Sequence, residues 1–102
     1  MKSSEVLSTI KTAQQSNGYS VSGTDMWVCG TSGAGIKPFV CCHVDTVNGD
    51  AVVNEDDIQI NGNIIKLSPN SNLRCLGGDD RCGAYIILKL IESKADCHFG
   101  AF

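Results

Sequence analysis

Phe39-Val40-Cys41-Cys42-His43-Val44-Asp45-Thr46-Val47 is the segment that decides which fold we expect of this chain. Its first part is apolar at successive positions, which is typical of a central strand that is covered on both faces of a sheet. His43 and Asp45 follow at the end of that strand. Open α/β sheets bind ligands at the carboxyl ends of their strands, so the segment predicts a strand within residues 36–47 and a site at its end.

His43 and Asp45 make the end of this first segment polar. A second segment with polar residues follows about thirty residues further along the chain, just before an apolar helix. Gly78-Asp79-Asp80-Arg81-Cys82-Gly83 leads into a helix that we predict over Gly83–Ser93. This helix is apolar around nearly its whole circumference, so we expect it to be buried on most sides. Asp79 and Asp80 lie at its N-terminus, where carboxylates interact favourably with free N–H groups and with the helix dipole.

The remaining pattern predicts one α/β domain over residues 1–102, with a mixed, largely parallel sheet and flanking helices. A first helix is expected over residues 3–15, with Ser3 or Ser4 as N-cap and Asn17-Gly18 as its stop. Three further elements are predicted: a strand at Met26–Cys29, a hairpin of Ile58–Ile60 and Ile64–Leu67 with a type I′ turn at Asn61-Gly62-Asn63, and a final strand at Cys97–Phe102.

Charge and hydropathy exclude several classes of partner. The chain has 8 Lys and Arg against 11 Asp and Glu, a net charge of −3, and no basic run, so we expect no nucleic-acid partner. The longest apolar stretch, Ala84 to Ile91, is far too short to span a membrane, and no signal peptide is recognisable. We therefore expect a cytoplasmic protein with no membrane association.

Six cysteines are many for 102 residues. Six cysteines allow fifteen disulfide pairings, but without a secretion signal we expect free thiols that act as small buried hydrophobes. The chain contains no Cys-x-x-Cys, which argues against a zinc ribbon or a thioredoxin-like motif. A thiol-based or redox enzyme is an alternative that rests on the number of cysteines alone, and a low-pKa thiol near His43 would favour it.

Each polar segment has both a chemical and a structural interpretation. His43 and Asp45 lie on the same face of a strand, so Asp45 could hold one ring nitrogen while the other binds a metal; a buried histidine with a capping aspartate is the alternative. One carboxylate at a glycine-rich turn, Asp79, could bridge two metal ions about 3.5–4 Å apart. Plain helix capping is the alternative there.

Together the two segments resemble the dizinc exopeptidase superfamily, in particular its peptidase T, carboxypeptidase and aminoacylase branch. That branch carries a His-x-Asp-Thr-Val-like string and later a Gly-x-Asp-Asp-Lys-x-Gly-like string. The resemblance implies the N-terminal part of a phosphorylase/hydrolase-like catalytic domain. It implies that His43 binds one zinc ion, that Asp79 bridges two, and that Asp45 serves catalysis by orienting His43. It further implies a cis peptide between Asp79 and Asp80, and it shows Arg81 where lysine is frequent.

The resemblance also implies acids that these 102 residues do not contain. The family has a Glu-Glu pair after the apolar helix, one general base and one metal ligand, then a further acidic ligand and a late histidine. His98 lies inside the last predicted strand and is not given that role. We therefore expect a peptidase portion that is inactive alone, binds zinc weakly or not at all, exposes a strand near Phe102, and needs a missing C-terminal half or forms a homo-oligomer. Peptides or acylated amino acids would be its substrates.

A non-catalytic reading of the same chain remains open. A small α/β scaffold that self-associates or binds another protein would keep the strands and helices and need no metal. An unsatisfied sheet edge and a half-covered helix would favour association under either interpretation.

Overall fold

The computed structural model describes residues 2–102 and shows a mixed α/β fold. Two α-helices, six strands and one short 3-10 helix follow each other in the described chain. In chain order they are α1 (Ser3–Ser16), β1 (Ser20–Gly23), β2 (Val28–Thr31), β3 (Phe39–Cys42), the 3-10 helix (Glu55–Asp57), β4 (Ile58–Asn61), β5 (Ile64–Leu67), α2 (Gly78–Glu92) and β6 (His98–Ala101).

Four of the strands form one mixed sheet in the order β1-β2-β6-β3, and β4 pairs with β5 in a separate hairpin. The β1–β2 and β2–β6 pairs are antiparallel, and the β3–β6 pair is parallel. The expectation of a largely parallel sheet is therefore wrong for residues 2–102, although the sheet is mixed. The physical reason is the short connection between β1 and β2, which only antiparallel neighbours can use.

The positions of β3 and β6 in the sheet are exchanged relative to the prediction. We expected β3 to be central, but over the described residues it pairs with β6 alone and forms an edge. We expected an exposed strand near Phe102, but β6 lies between β2 and β3. The apolar pattern of β3 predicted a strand covered on both faces. In the structure, Phe39 and Cys41 are exposed on a side of the sheet that no described element covers.

Both helices pack against the same face of the sheet and against each other. The core between them combines side chains from α1, α2 and the strands, with Ile10, Ile87, Ile91 and Phe99 almost completely buried. On the opposite face, Gly100 leaves room for an aromatic ring: a Cβ there would approach the Phe39 ring to 2.7 Å. Phe39 and Phe102 are each about half exposed there. The molecule thus has two layers, one covered sheet face and one open face.

Helix α2 differs from its prediction at its start and in its burial. It begins at Gly78, five residues before the predicted start, with non-helical backbone at Asp79 and Asp80. Ala84, Ile87 and Ile91 are buried, but Tyr85 and Ile86 are more than half exposed. The expectation that this helix is buried on most sides is wrong: α2 packs against α1 and β3, and side chains on its other side, such as Tyr85 and Ile86, remain exposed.

Helix α1 matches its predicted span to within one residue but has a different N-cap. The cap is Lys2, not Ser3 or Ser4; its backbone N–H donates to the Glu5 carboxylate at 2.9 Å. Ser3 is unsuitable as a cap because it is already helical, and its hydroxyl donates instead to the Val44 carbonyl. The helix ends before Gly18, part of the predicted stop, and the φ of +87° at Gly18 is the left-handed conformation that is common just after a helix.

The β4–β5 hairpin forms where it was predicted, but with another turn. Its two central residues are Gly62 and Asn63, and Gly62 has a φ of +63°. Asn63 does not have a positive φ, so the turn follows the type II′ pattern rather than type I′. Glycine takes the first central position because it adopts a positive φ without steric cost.

Strand β1 was not predicted. Its sequence, Ser20-Val21-Ser22-Gly23, contains a single β-branched residue. The signal that could have found it is the alternation of Tyr19 and Val21, which contact the core, with two serines that do not.

Within residues 2–102 no helix is both long and apolar enough to cross a membrane.

Candidate metal centre

The two polar segments meet at one end of the sheet. His43 follows the last residue of β3, and Asp79 lies in the distorted first turn of α2. The His43 Nε2 atom is 2.9 Å from Asp79 Oδ1, although the residues are 36 positions apart in the sequence. The structure therefore brings together the two side chains that the sequence analysis assigned to a shared metal position.

The other ring nitrogen of His43 faces Asp45. His43 Nδ1 lies 3.0 Å from the Asp45 carbonyl oxygen and 3.1 Å from its carboxylate Oδ1. This contact sets the orientation of the ring and favours a proton on Nδ1, which leaves Nε2 as the nitrogen that faces Asp79. The arrangement is the one expected of a metal-binding imidazole with a carboxylate behind it.

Both acids at this site are open to solvent. The side chain of Asp79 is 92 % exposed and that of Asp45 is 80 % exposed, whereas that of His43 is 43 % exposed. The hydrogen bond with Asp79, and then the contacts with Asp45, raise the pKa of His43, while burial acts in the opposite direction. With an oxygen acceptor at each nitrogen, the protonated ring donates two hydrogen bonds, which explains the direction of this pKa shift.

The backbone between His43 and Asp45 is held from three directions. The Val44 carbonyl accepts hydrogen bonds from Arg81 Nε at 2.8 Å and from the Ser3 hydroxyl at 3.1 Å. The Val44 N–H donates to the Phe102 carbonyl at 2.8 Å. The start of α1, the start of α2 and the end of β6 therefore all bind the one residue that separates the histidine from the aspartate.

The first turn of α2 has an unusual backbone that directs Asp79 and Asp80 differently. The peptide bond between them, the position predicted to be cis, is cis. Gly77 before them has a φ of +89°, and the neighbouring Thr46 methyl lies 3.7 Å from where a Cβ of Gly77 would be. The Asp80 carboxylate occupies the space where a Cβ of Gly83 would lie, so it turns towards its own helix while Asp79 turns towards His43.

Cys42 is the thiol next to the site, and its environment argues against the thiol-enzyme alternative at this position. Burial, and then the charges of Asp80 and Cys41, raise the pKa of Cys42 to about 11. Its side chain is buried, so the thiol keeps its proton near neutral pH and does not act as a nucleophile. All six cysteines are free thiols. The expectation of buried thiols holds for Cys42 alone: Cys41 and Cys82 are exposed, on the open sheet face and on α2, and the other three are half-buried (Cys29, Cys75 and Cys97).

A cavity of about 520 Å³ adjoins the same two segments. Thr46 and Gly78, the chain neighbours of Asp45 and Asp79, form part of its wall, and Val52, Tyr85 and Ile86 provide apolar surface. The loop beneath it is held by Asn48, whose side-chain amide donates to the Cys75 carbonyl at 2.8 Å and accepts from the Arg74 N–H at 2.8 Å. Sequence reasoning did not identify this cavity, because its wall combines segments that only the fold brings together.

The imidazole of His43 and the carboxylate of Asp79 are side-chain types that bind divalent metals, but they provide only part of a metal site. A tetrahedral zinc ion with ligands at about 2.0–2.1 Å holds neighbouring ligand atoms about 3.3 Å apart, close to the 2.9 Å between His43 Nε2 and Asp79 Oδ1. Among residues 2–102, no cluster of three or more His, Cys, Asp or Glu side chains could hold a metal ion. His98 is elsewhere: its Nε2 lies 3.3 Å from the Gly35 carbonyl.

Comparisons of the chain with protein-family models, with curated proteins and with solved structures returned no match. The residues and their geometry therefore carry any functional assignment.

Proposed function

We propose that this chain carries the first part of a two-zinc exopeptidase or amidohydrolase site of the peptidase T, carboxypeptidase and aminoacylase type. The observation that supports the proposal is the 2.9 Å contact between His43 Nε2 and Asp79 Oδ1. Two segments that are distant in the sequence supply, in this geometry, the imidazole and the carboxylate that such a site needs first. Helix capping alone would not require Asp79 to turn towards a histidine.

In this proposal each residue of the site has a separate role. His43 would bind one zinc ion through Nε2, and Asp79 would bridge that ion and a second one. Asp45 would act as a positioning residue that holds the His43 ring through Nδ1. The metal ions, when bound, would polarise the scissile carbonyl and lower the pKa of the attacking water. The apolar wall of the adjoining cavity is suited to an apolar part of a peptide or acylated amino-acid substrate.

These 102 residues lack some of the groups that such a site needs. Catalytic zinc sites use three protein ligands and a water, and hydrolysis needs a general base. The sequence has three glutamates, Glu5, Glu55 and Glu92, and no Glu-Glu pair. We propose that the missing ligands and the base come from a C-terminal half or from another subunit, and that the 102-residue chain alone is inactive.

Zinc titration of the purified chain by isothermal calorimetry tests the proposal. We expect weak binding that His43→Ala and Asp79→Asn each abolish. Asp56→Asn, which removes an exposed carboxylate from the 3-10 helix, is the matched control and should leave binding unchanged. Equal zinc binding by all four proteins would reject the metal centre. Hydrolysis of dipeptides by the zinc-loaded chain alone would instead reject the claim that the site is incomplete.

A second candidate function is supported by the open sheet face. Phe39 and Phe102 are half exposed there, and β3 is an uncovered edge of the described sheet. Exposed apolar surface next to a free edge is typical of an association surface. Under this alternative the chain is a non-catalytic scaffold that self-associates or binds another protein, and the His43–Asp79 contact is only structural.

A further inference from the structure

We infer that Arg81 is a positioning residue that sets the distance between His43 and Asp79 by holding the Val44 carbonyl. This inference rests on the proposed metal site and adds to it a residue that contacts neither zinc ion. It identifies a function for the position at which this chain has arginine while similar motifs often have lysine.

The geometry around Val44 carries the inference. Arg81 lies in the first turn of α2, two residues after Asp79, and its Nε donates to the Val44 carbonyl at 2.8 Å. Val44 is the residue between His43 and Asp45. One hydrogen bond therefore joins the backbone that carries the imidazole to the turn that carries the carboxylate. Because Arg81 is only two residues from Asp79, this hydrogen bond connects the two segments over a short stretch of chain, in addition to the His43–Asp79 contact itself.

The other contacts of Val44 cannot replace this connection. The Ser3 hydroxyl donates to the same carbonyl at 3.1 Å, but Ser3 belongs to α1. The Val44 N–H binds the Phe102 carbonyl, which continues the β3–β6 pairing. These two bonds fix the end of β3 relative to α1 and to the sheet. Of the three hydrogen bonds to Val44 described here, the one from Arg81 relates that end to the first turn of α2.

The exposure of the site explains why such a connection is needed. Asp79 is 92 % exposed and is not held by packing, and a solvent-exposed contact between charged groups has little net stability of its own. The Arg81 side chain, by contrast, is partly buried where it meets Val44. A partly buried hydrogen bond behind two exposed metal-binding side chains can keep them in place before a metal ion binds.

Two neutral variants separate the hydrogen bond from the charge of Arg81. Glutamine places a side-chain N–H donor at the position of Arg Nε, whereas methionine has a similar length and no donor. We expect Arg81→Gln to keep the His43–Asp79 contact and Arg81→Met to lose it. Ser3→Ala is the matched control, because it removes the other donor to the same carbonyl and leaves the first turn of α2 unchanged.

Two measurements on these proteins decide the matter. The first is zinc affinity by chelator competition, where we expect Arg81→Met to bind about 10- to 100-fold more weakly than wild type, as for other residues that orient a metal ligand. Arg81→Gln and Ser3→Ala should stay within a few-fold of wild type. The second needs no metal: a nuclear Overhauser contact between the His43 ring and the Asp79 side chain should persist in Arg81→Gln and disappear in Arg81→Met.

The two failures are distinguishable. If wild type binds no zinc, the proposed function fails, and the metal-free contact still decides whether Arg81 positions the pair. If wild type binds zinc and Arg81→Met keeps both its affinity and the ring contact, the inference is overturned while the metal site stands. Equal losses in Arg81→Gln and Arg81→Met would also overturn it, because charge rather than the hydrogen bond would then be responsible. Circular dichroism of each variant verifies that it is folded.

Discussion

Gly30 and Gln14 show how closely single residues are fitted in the core. Gln14 in α1 is fully buried, and a Cβ on Gly30 in β2 would approach its side-chain amide to 2.5 Å. The Gln14 Nε2 donates a long hydrogen bond to the Phe99 carbonyl, and its Oε1 has no hydrogen-bond partner in the described structure. A polar side chain thus fills the space that a glycine leaves between a helix and the sheet, and neither residue can change size independently.

We predict that Gly30→Ala lowers the free energy of unfolding by about 1–3 kcal/mol, because the added methyl overpacks a buried position. The change should cost less in a Gln14→Ala background, where the obstructing amide is gone. Urea unfolding of the two single variants and the double variant measures the coupling. Strictly additive losses would show that Gln14 and Gly30 do not share this space.

We predict a pH-dependent contribution from Asp96 to stability. Its carboxylate accepts hydrogen bonds from Lys37 and from the Ser32 hydroxyl, and these contacts, with that of Lys37 the largest, lower the pKa of Asp96. A carboxyl group whose pKa is lowered on folding stabilises the protein above its unfolded pKa, near 3.9, and loses this effect as the pH falls through the folded value.

The stability difference between wild type and Asp96→Asn should therefore be largest above about pH 4 and should shrink at lower pH. Thermal unfolding between pH 2 and pH 7 measures it. In a Lys37→Met background the same substitution should have a much smaller effect. A difference that grows on acidification would contradict the assignment.

At the scale of elements, the sequence predicted most helices and strands but not which strands pair with each other in the sheet. Helix α1 and the β4–β5 hairpin were predictable because periodicity and turn residues are local signals. The edge position of β3 was not, since an apolar run does not reveal how many strands lie beside it. The His43–Asp79 pair was predicted from two short motifs, whereas the hydrogen bond from Arg81 to Val44 depends on a rotamer that no pattern encodes.

We predict that the first turn of α2 depends on Gly77. This residue is buried and has a φ of +89°, which costs a side-chain-bearing residue about 1–2 kcal/mol. Gly77→Ala should lower the melting temperature and weaken zinc binding, because Asp79 follows two residues later. Gly78→Ala is the control: its φ is not positive and its added Cβ would meet only the Cys82 sulfur at 3.5 Å. Equal effects of the two substitutions would show that the backbone conformation of Gly77 is not the cause.

At the scale of the whole molecule, the apolar surface is distributed unevenly. Both helices lie on one face of the sheet, so the other face exposes Phe39 and Phe102 around Gly100. The hairpin is a second exposed apolar region, with Ile60 and Ile64 both more than 60 % exposed. Covering of either region by a partner would fit both the peptidase proposal and the scaffold alternative. The zinc measurements above are needed to distinguish the two.

We predict that the purified chain self-associates through the open sheet face. Sedimentation equilibrium should give a mass above that of the 10.8 kDa monomer, and Phe39→Ser should shift it towards the monomer. Ile60→Ser, an equally polar change on the hairpin, should leave the mass unchanged. A monomer at all concentrations would contradict the prediction, and a response to Ile60→Ser alone would assign association to the hairpin.

The strand order has a consequence for synthesis on the ribosome. Strand β6 is made after the other described elements, yet it lies between β2 and β3. Until residues 98–101 leave the exit tunnel, the β1–β2 pair has no strand that joins it to β3. The four-stranded sheet must therefore assemble after translation of these residues, by insertion of a late strand between two earlier ones.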